Sequence, residues 1–209
     1  MIIDPGQLWI FIPAAIALNL TPGSDMLFCL GQGLKGGPRG GIAASIGIST
    51  GALIHTLLAA IGLAALLAAY PLAFEVVRWA GVAYLVWLAV QAIRTQATGL
   101  APASVRSGGM MSAWRDGVLV NLLNPKVAVF ILAFLPQFVD PARGAPFLQF
   151  LVLGAILNIG GTVINGAIGA FAGTIGARLA AHAGLLRVYR YVTACLFLGL
   201  AARLAFERR

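Results

Sequence analysis

Two short runs in this 209-residue chain place polar and charged side chains inside otherwise apolar sequence. They are Asn19-Leu20-Thr21-Pro22-Gly23-Ser24-Asp25 and Asn121-Leu122-Leu123-Asn124-Pro125-Lys126. Proline has no N–H to donate and clashes with the preceding turn, so each run breaks a helix. The half-helix that follows a break bares N–H groups, and its dipole attracts negative charge. Thr21 is the expected cap of the half-helix after the first break, with Pro22 in its first position. Asn124 and Pro125 take the same places after the second. Gly23 leaves room for a ligand beside the backbone. Ends of this kind can receive a carboxylate. Asp25, about one turn further on, can meet an ammonium group or carry a proton, because a low-dielectric site disfavours the charged carboxylate. Lys126 follows the second break much as Asp25 follows the first. The two are expected to approach and pair when no substrate is bound, since an unpaired charge inside a membrane costs about 3 kcal/mol even on lenient scales. With Asn19, Ser24 and Asn121, these residues form the expected substrate-binding set. Asp25 is the expected proton-coupling group.

The sequence around these runs is that of a membrane protein. Sixty per cent of residues are hydrophobic and 10% are charged, with mean hydropathy +0.95. A soluble domain carries about 25% charged residues. The net charge of +8 does not point to nucleic acid, because the basic residues stand singly at the ends of apolar segments. Six such segments run from about 7 to 34, 40 to 69, 72 to 93, 114 to 139, 146 to 175 and 188 to 206. Each reaches the ~20 residues needed to span hydrocarbon. A more polar connection covers about 94 to 113. The expected fold is an all-α integral membrane protein of one transporter domain. Its two inverted three-helix repeats would cover about 1–95 and 112–209, with the first and fourth helices interrupted. Paired interruptions in corresponding positions of two halves point to a transporter binding site near the bilayer midplane.

Loop charges give an expected orientation. Lys35, Arg39, Arg94, Arg106, Arg115, Arg178, Arg187 and Arg190 fall on one side; Arg78, Arg143, Arg203, Arg208 and Arg209 fall on the other. The excess of basic residues places the odd-numbered loops in the cytoplasm and both termini outside. No cleavable signal is expected at Met1-Ile2-Ile3-Asp4-Pro5, which lacks a basic n-region. The halves also share a run at the opening of their third helix: Arg78-Trp79-Ala80-Gly81 against Arg190-Tyr191-Val192-Thr193.

Glycine is dense in segments two and five, where it lets membrane helices approach closely and permits a homodimer. The Gly36-Gly37-Pro38 run reads as a tight cytoplasmic turn. Among the glycines stand Ser45, Ser49, Thr50, His55 and Thr56, and later Asn158, Thr162 and Asn165. Ser45, Ser49 and Thr56 share one helical face. Such residues either line a polar pathway or hydrogen-bond to neighbouring helices. Asp116 beside Arg115 reads as an interfacial pair or as an entrance residue. Glu75, Arg78, Asp140 and Arg143 read as interfacial charges.

The two broken runs, the Gly36-Gly37-Pro38-Arg39-Gly40-Gly41 loop, Trp114-Arg115-Asp116-Gly117 and Phe134-Leu135-Pro136-Gln137-Phe138-Val139 together resemble the LysE/RhtB family of amino-acid exporters. The resemblance covers essentially the whole chain. It implies a multi-pass protein of the bacterial inner membrane that moves amino acids outward from the cytoplasm, driven by protons, with no cofactor. Ser24 departs from the family, which commonly has a second proline there. The departure loosens the start of the half-helix. Trp114 stands where phenylalanine is usual.

Other classes fit less well. A metal or inorganic-ion exporter on the same plan needs several converging carboxylates, histidines or thiols, and only Asp25 and His55 are plausible ligands. A thiol-disulfide electron carrier needs paired cysteines, whereas Cys29 and Cys195 stand far apart in apolar sequence. No nucleophile–base arrangement suggests an enzyme. Few acidic residues lie in the apolar segments, which favours a neutral substrate such as homoserine, threonine or leucine.

Overall fold

A computed structural model describes residues 2–69, 71–94, 109–174 and 183–206. The described residues are helical, with no strand among them. In order they form α1 (Pro5–Leu20), α2 (Ser24–Ala69), α3 (Pro71–Arg94), α4 (Gly109–Leu122), α5 (Pro125–Ala133), α6 (Pro146–Ala170) and α7 (Ala183–Phe206). Two single 3-10 turns, Leu135–Phe138 and Pro141–Arg143, lead from α5 into α6. Most of the polar connection, the end of the fifth segment, and Arg106, Arg178, Arg208 and Arg209 lie outside the described residues.

Although α2 reads as one helix, it reverses at Gly37, where φ is +66° and ψ is −170°. In an unbroken helix, Gly33 and Gly41 would stand about 12 Å apart. Instead both abut the backbone of Gly169 in α6, and a Cβ on Gly40 would lie 2.9 Å from the carbonyl oxygen of Gln32. The positive φ is one that glycine adopts without strain. The glycine-rich run therefore makes the tight turn that its composition suggests, and it separates a short half of α2 from a long one.

By length and composition, Ser24–Gly62 of α2 and all of α6 are apolar enough to cross a membrane. Gly109–Leu122 joined to Pro125–Phe138 is a third span if its 53° bend is counted within one. Pro5–Leu20 and Tyr191–Phe206 are shorter apolar helices. The long half of α2 packs between α4 and α6, while α3 packs on α7. Arg78 and Arg190 do not open their helices as the sequence suggests. The described part of each helix already runs from seven residues before them, from Pro71 and from Ala183.

Glycine sets the spacing around α2. The Cα of Gly47 lies under the Trp114 carbonyl, Gly117 lies under the Ala44 carbonyl, and Gly154 faces Thr56. The polar residues of α2 serve this packing. Ser45 Oγ donates to the Thr162 carbonyl (2.9 Å), and Thr56 Oγ1 to the Ala52 carbonyl (2.9 Å). His55 Nε2 lies 3.3 Å from the Asn121 carbonyl.

An aromatic cluster supports the second break from below. Phe11 of α1 stacks on Phe134 and meets Phe138 edge-on at 5.1 Å, while Phe130 and Phe134 are 4.5 Å apart. Gln149, fully buried, clamps the turn into α6. Its Nε2 donates to the carbonyls of Asp140 and Gly144, and its Oε1 accepts from the Asp140 N–H, all at 2.8 Å. Arg143 bridges to Asp4 at 2.7 Å and to Asp140 at 3.5 Å. The start of α1 is thereby tied to the N-terminal end of α6. Gly33 and Gly41, flanking the Gly37 turn, meet its C-terminal end.

These close approaches make a direct prediction. In Gly47→Leu the new side chain meets backbone, which cannot swing aside, so α2 and α4 must separate. The expected destabilisation is about 1–3 kcal/mol or more. It would be read as a lower melting temperature and a loss of monodisperse protein in detergent. Gly62→Ala has nothing within 4 Å of the added Cβ and should lower neither, since alanine is the better helix former.

Candidate functional site

The first break is closed from the α1 side. Thr21 is the C-cap of α1: its N–H bonds the carbonyls of Ala17 and Leu18, and its Oγ1 donates back to Ala17 at 2.6 Å. It therefore does not cap the half-helix that follows, as the sequence suggests. That hydroxyl is already committed one turn backward. Pro22 lies in the break itself rather than in a first helical position. Gly23 supplies the first carbonyl of α2, accepting from the Leu27 N–H at 3.0 Å. A Cβ on Gly23 would stand 3.2 Å from Lys126 Nζ, so its missing side chain makes room for Lys126.

The second break has the predicted form. Asn124 is the N-cap of α5, with Pro125 in the first turn, and its side-chain oxygen accepts from the Lys126 N–H at 3.0 Å. That bond fixes which way the amide points. Asn124 Nδ2 is left facing Asp25, and donates to Asp25 Oδ1 at 2.8 Å. Asn121, at the end of α4, donates its Nδ2 to Asp25 Oδ2, also at 2.8 Å. The Asp25 carboxylate, 6% exposed, is thus held by two neutral amides from across the second break. Ser24, exposed, adds only a 3.5 Å contact to Oδ1.

Lys126 reaches the other way. Its ammonium donates to the carbonyls of Thr21 at 2.8 Å and Leu18 at 3.3 Å, which end α1. Asp25 and Lys126 approach across the interface of the two breaks, but they make no ion pair within 4.0 Å. Each is satisfied by neutral groups of the opposite break. The dipoles explain this choice. Asp25 sits in the first turn of α2, where a helix favours an anion. Lys126 sits at the first turn of α5, where a cation is disfavoured, and it gains by extending to the negative C-terminal end of α1.

Beside Asp25 lies a cavity of about 30 Å³ between α1, α2, α4 and α6. Its polar lining is Asn19, Asp25, Asn121, Asn158, Thr162 and Asn165; Leu18, Ile48, Ala52, Val127 and Leu157 supply much of the rest. Asn19 donates its Nδ2 to the Leu157 carbonyl at 3.0 Å and rests on Gly160 and Gly161. A benzene-sized guest needs a cavity of about 150 Å³, so this one holds on the order of two waters.

The structure brings Asp25, Asn121, Asn124 and Lys126 into one network and puts Asn19 on the adjoining cavity. Thr21, Pro22, Gly23 and Pro125 shape the two breaks. The sequence suggested a polar pathway at Asn158, Thr162 and Asn165 without placing them at the site. They recur at intervals of four and three along α6, so they share a face, and that periodicity was the available signal. Asp116 accepts from Ser112 Oγ at 3.3 Å rather than pairing with Arg115. Adjacent residues on a helix do not face each other.

Two broken apolar helices with a buried carboxylate between them are an arrangement that suits a membrane transporter. A model of the LysE type translocator family matches residues 16–208, and the chain belongs to that family. An uncharacterized membrane protein of Vibrio cholerae is 37% identical over 173 residues, covering 79% of this chain and 84% of that protein. A homoserine/homoserine lactone efflux protein of Salmonella typhimurium is 36% identical over 148 residues, 69% of each chain. A leucine efflux protein of the same organism is 29% identical over 202 residues, 94% of this chain and 93% of its own. No solved structure matches.

Asn124 carries two separable duties. Asn124→Ala removes a helix cap worth about 1 kcal/mol and a charge-assisted hydrogen bond worth about 1.5–3 kcal/mol. Asn124→Asp keeps the cap acceptor but sets a second carboxylate against Asp25. The melting temperature should fall in both. Asp25→Asn should recover more of the loss in the Asn124→Asp background, where it removes a like-charge contact, than in Asn124→Ala, where it only relieves a carboxylate short of one donor.

Proposed function

We propose that this chain is a secondary exporter of neutral amino acids, working from the cytoplasm outward across the bacterial inner membrane and coupled to protons through Asp25. The observation that carries this reading is the buried Asp25 carboxylate, held by neutral amides of the second break on the edge of a polar cavity. The efflux relatives named for homoserine and leucine support the substrate class. In this reading the substrate ammonium replaces the amide donors at Asp25, and its carboxylate takes up N–H groups exposed at the breaks. The cavity is too small for an amino acid, so the helices around it part to admit one.

The same reading takes the chain as six spans in two inverted repeats. Its support is the pairing of corresponding segments, α2 with α6 and α3 with α7. A second support is the matched seating of the asparagines: Asn19 rests on Gly160 and Gly161 of α6, and Asn121 on Gly51 of α2. Each asparagine before a break thus leans on the glycine face of the other half.

Export is tested in inverted vesicles or proteoliposomes loaded with mixed amino acids, with and without a pH gradient. Wild type should move one neutral amino acid in a gradient-dependent way, and Asp25→Asn should lose that movement while remaining folded. Full-rate export by Asp25→Asn would remove Asp25 from coupling and binding alike. Topology is tested by impermeant thiol labelling in a background lacking Cys29 and Cys195. Gly36→Cys should label only from the cytoplasmic side and Ala142→Cys only from the periplasmic side; labelling of both from one side would overturn the arrangement.

A further inference from the structure

The amide donors of three asparagines around the cavity are already committed. Asn19 Nδ2 is held by the Leu157 carbonyl, Asn121 Nδ2 by Asp25, and Asn158 Nδ2 by the Ser49 carbonyl at 3.2 Å. The Thr162 hydroxyl donates to the Asn158 carbonyl at 2.8 Å. These bonds orient the amides of Asn19, Asn121 and Asn158. Asn121 Oδ1 and Asn165 Oδ1 are buried with no hydrogen-bond partner, on residues 1% and 6% exposed. Both residues line the same cavity as the Asp25 carboxylate.

A buried acceptor without a donor costs about 1–3 kcal/mol, and more where a charge is concerned. Asp25 has two amide donors and no cation within ion-pair distance. Water can donate to the orphan oxygens but brings no charge. A small cation supplies both the charge and the missing partner for the amide oxygens. Oxygen-only surroundings select a hard cation, and sulfur or imidazole would be needed for a soft one. Lys126 is turned away to the carbonyls that end α1, so with Asp25 the one carboxylate in the lining a cation of no more than one charge suits the cavity.

We propose that the cavity beside Asp25 is a monovalent-cation site that takes Na⁺, with the Asp25 carboxylate and the side-chain oxygens of Asn121 and Asn165 as its principal ligands. The assignment stands on the lining of the cavity and not on the exporter reading. It makes sodium a ligand of the resting protein, bound without any amino acid.

The test uses the purified full-length protein in nanodiscs of neutral lipid, with no amino acid present. ²²Na⁺ binding is measured by scintillation proximity, and melting temperature is compared in NaCl, KCl and choline chloride at equal ionic strength. Saturable binding of one Na⁺ per chain is expected, with a melting temperature raised by NaCl and not by choline. Asn165→Val and Asp25→Asn should each weaken Na⁺ binding about ten- to a hundredfold. Size-exclusion profile and helical circular dichroism show whether each variant is folded, and the comparison of salts needs no variant at all. Identical melting in NaCl and choline, with no saturable ²²Na⁺, would overturn the proposal and leave ordered water in the cavity. Stabilisation by methylammonium with Na⁺ inert would overturn it too, assigning the oxygens to the substrate ammonium. Export in vesicles is scored separately, so a chain that exports and binds no Na⁺ fails only this inference.

Discussion

Everything at the centre of this protein depends on satisfying one carboxylate inside an apolar structure. Asp25 sits where an isolated ion is costly, and the chain offsets that cost with the two amides of Asn121 and Asn124. Those amides are available only because α4 ends at Leu122 and α5 begins at Pro125. An unbroken helix would satisfy its own backbone and present side chains at regular intervals. The break lets Asn124 cap α5 with its oxygen and reach Asp25 with its nitrogen. Lys126 repeats the arrangement in reverse, lending its charge to carbonyls that the first break leaves open. The acid of one break is read by the other, and so is the base.

Such an exchange requires the broken helices to lie unusually close, and that explains the glycines. A Cβ at Gly51 would meet the side chain of Asn121, and one at Gly117 the backbone of α2. Without these approaches Asn121 would stand too far from Asp25 to donate. The aromatic cluster of Phe11, Phe130, Phe134 and Phe138 holds α1 against α5 from the other side. Large side chains thus pack α1 against the α5 side while small ones let α2 and α4 close on each other.

The local features were legible in the sequence, because the chemistry that makes them is local. Pro22 and Pro125 mark breaks, Asn124 marks a cap, and the Gly36-Gly37-Pro38 run marks a reversal. Each follows from what its own residue can or cannot do with its own backbone. What escaped was set by partners far along the chain. By type alone threonine caps forward or bonds backward, and the bond of Thr21 to Ala17 decides the matter. Asp25 and Lys126 look like a pair in the sequence because opposite charges in a membrane need partners. The structure shows partners of another kind, more than 90 residues away in each case. Asn158 and Asn165 carry the right periodicity, but only the packing of α6 on α1 and α2 turns that face to the cavity.

That Asp25 and Lys126 do not bond directly bears on the exporter reading. A buried ion pair in direct contact is hard to part, since removing one partner strands the other charge at a cost of about 3–5 kcal/mol. A carboxylate held by neutral amides can instead exchange donors one at a time. Each amide released finds another acceptor or water, and no bare charge is formed. A ligand shifts a conformational equilibrium only by the difference in its affinity for the two states. On the exporter reading, an ammonium group that reaches Asp25 while no other cation is bound there gains a charge–charge contact in exchange for two neutral donors, and that gain is the difference available to part the helices. The direct salt bridge would have consumed it in advance. Holding the two charges near each other but on separate neutral partners keeps the site both stable and responsive.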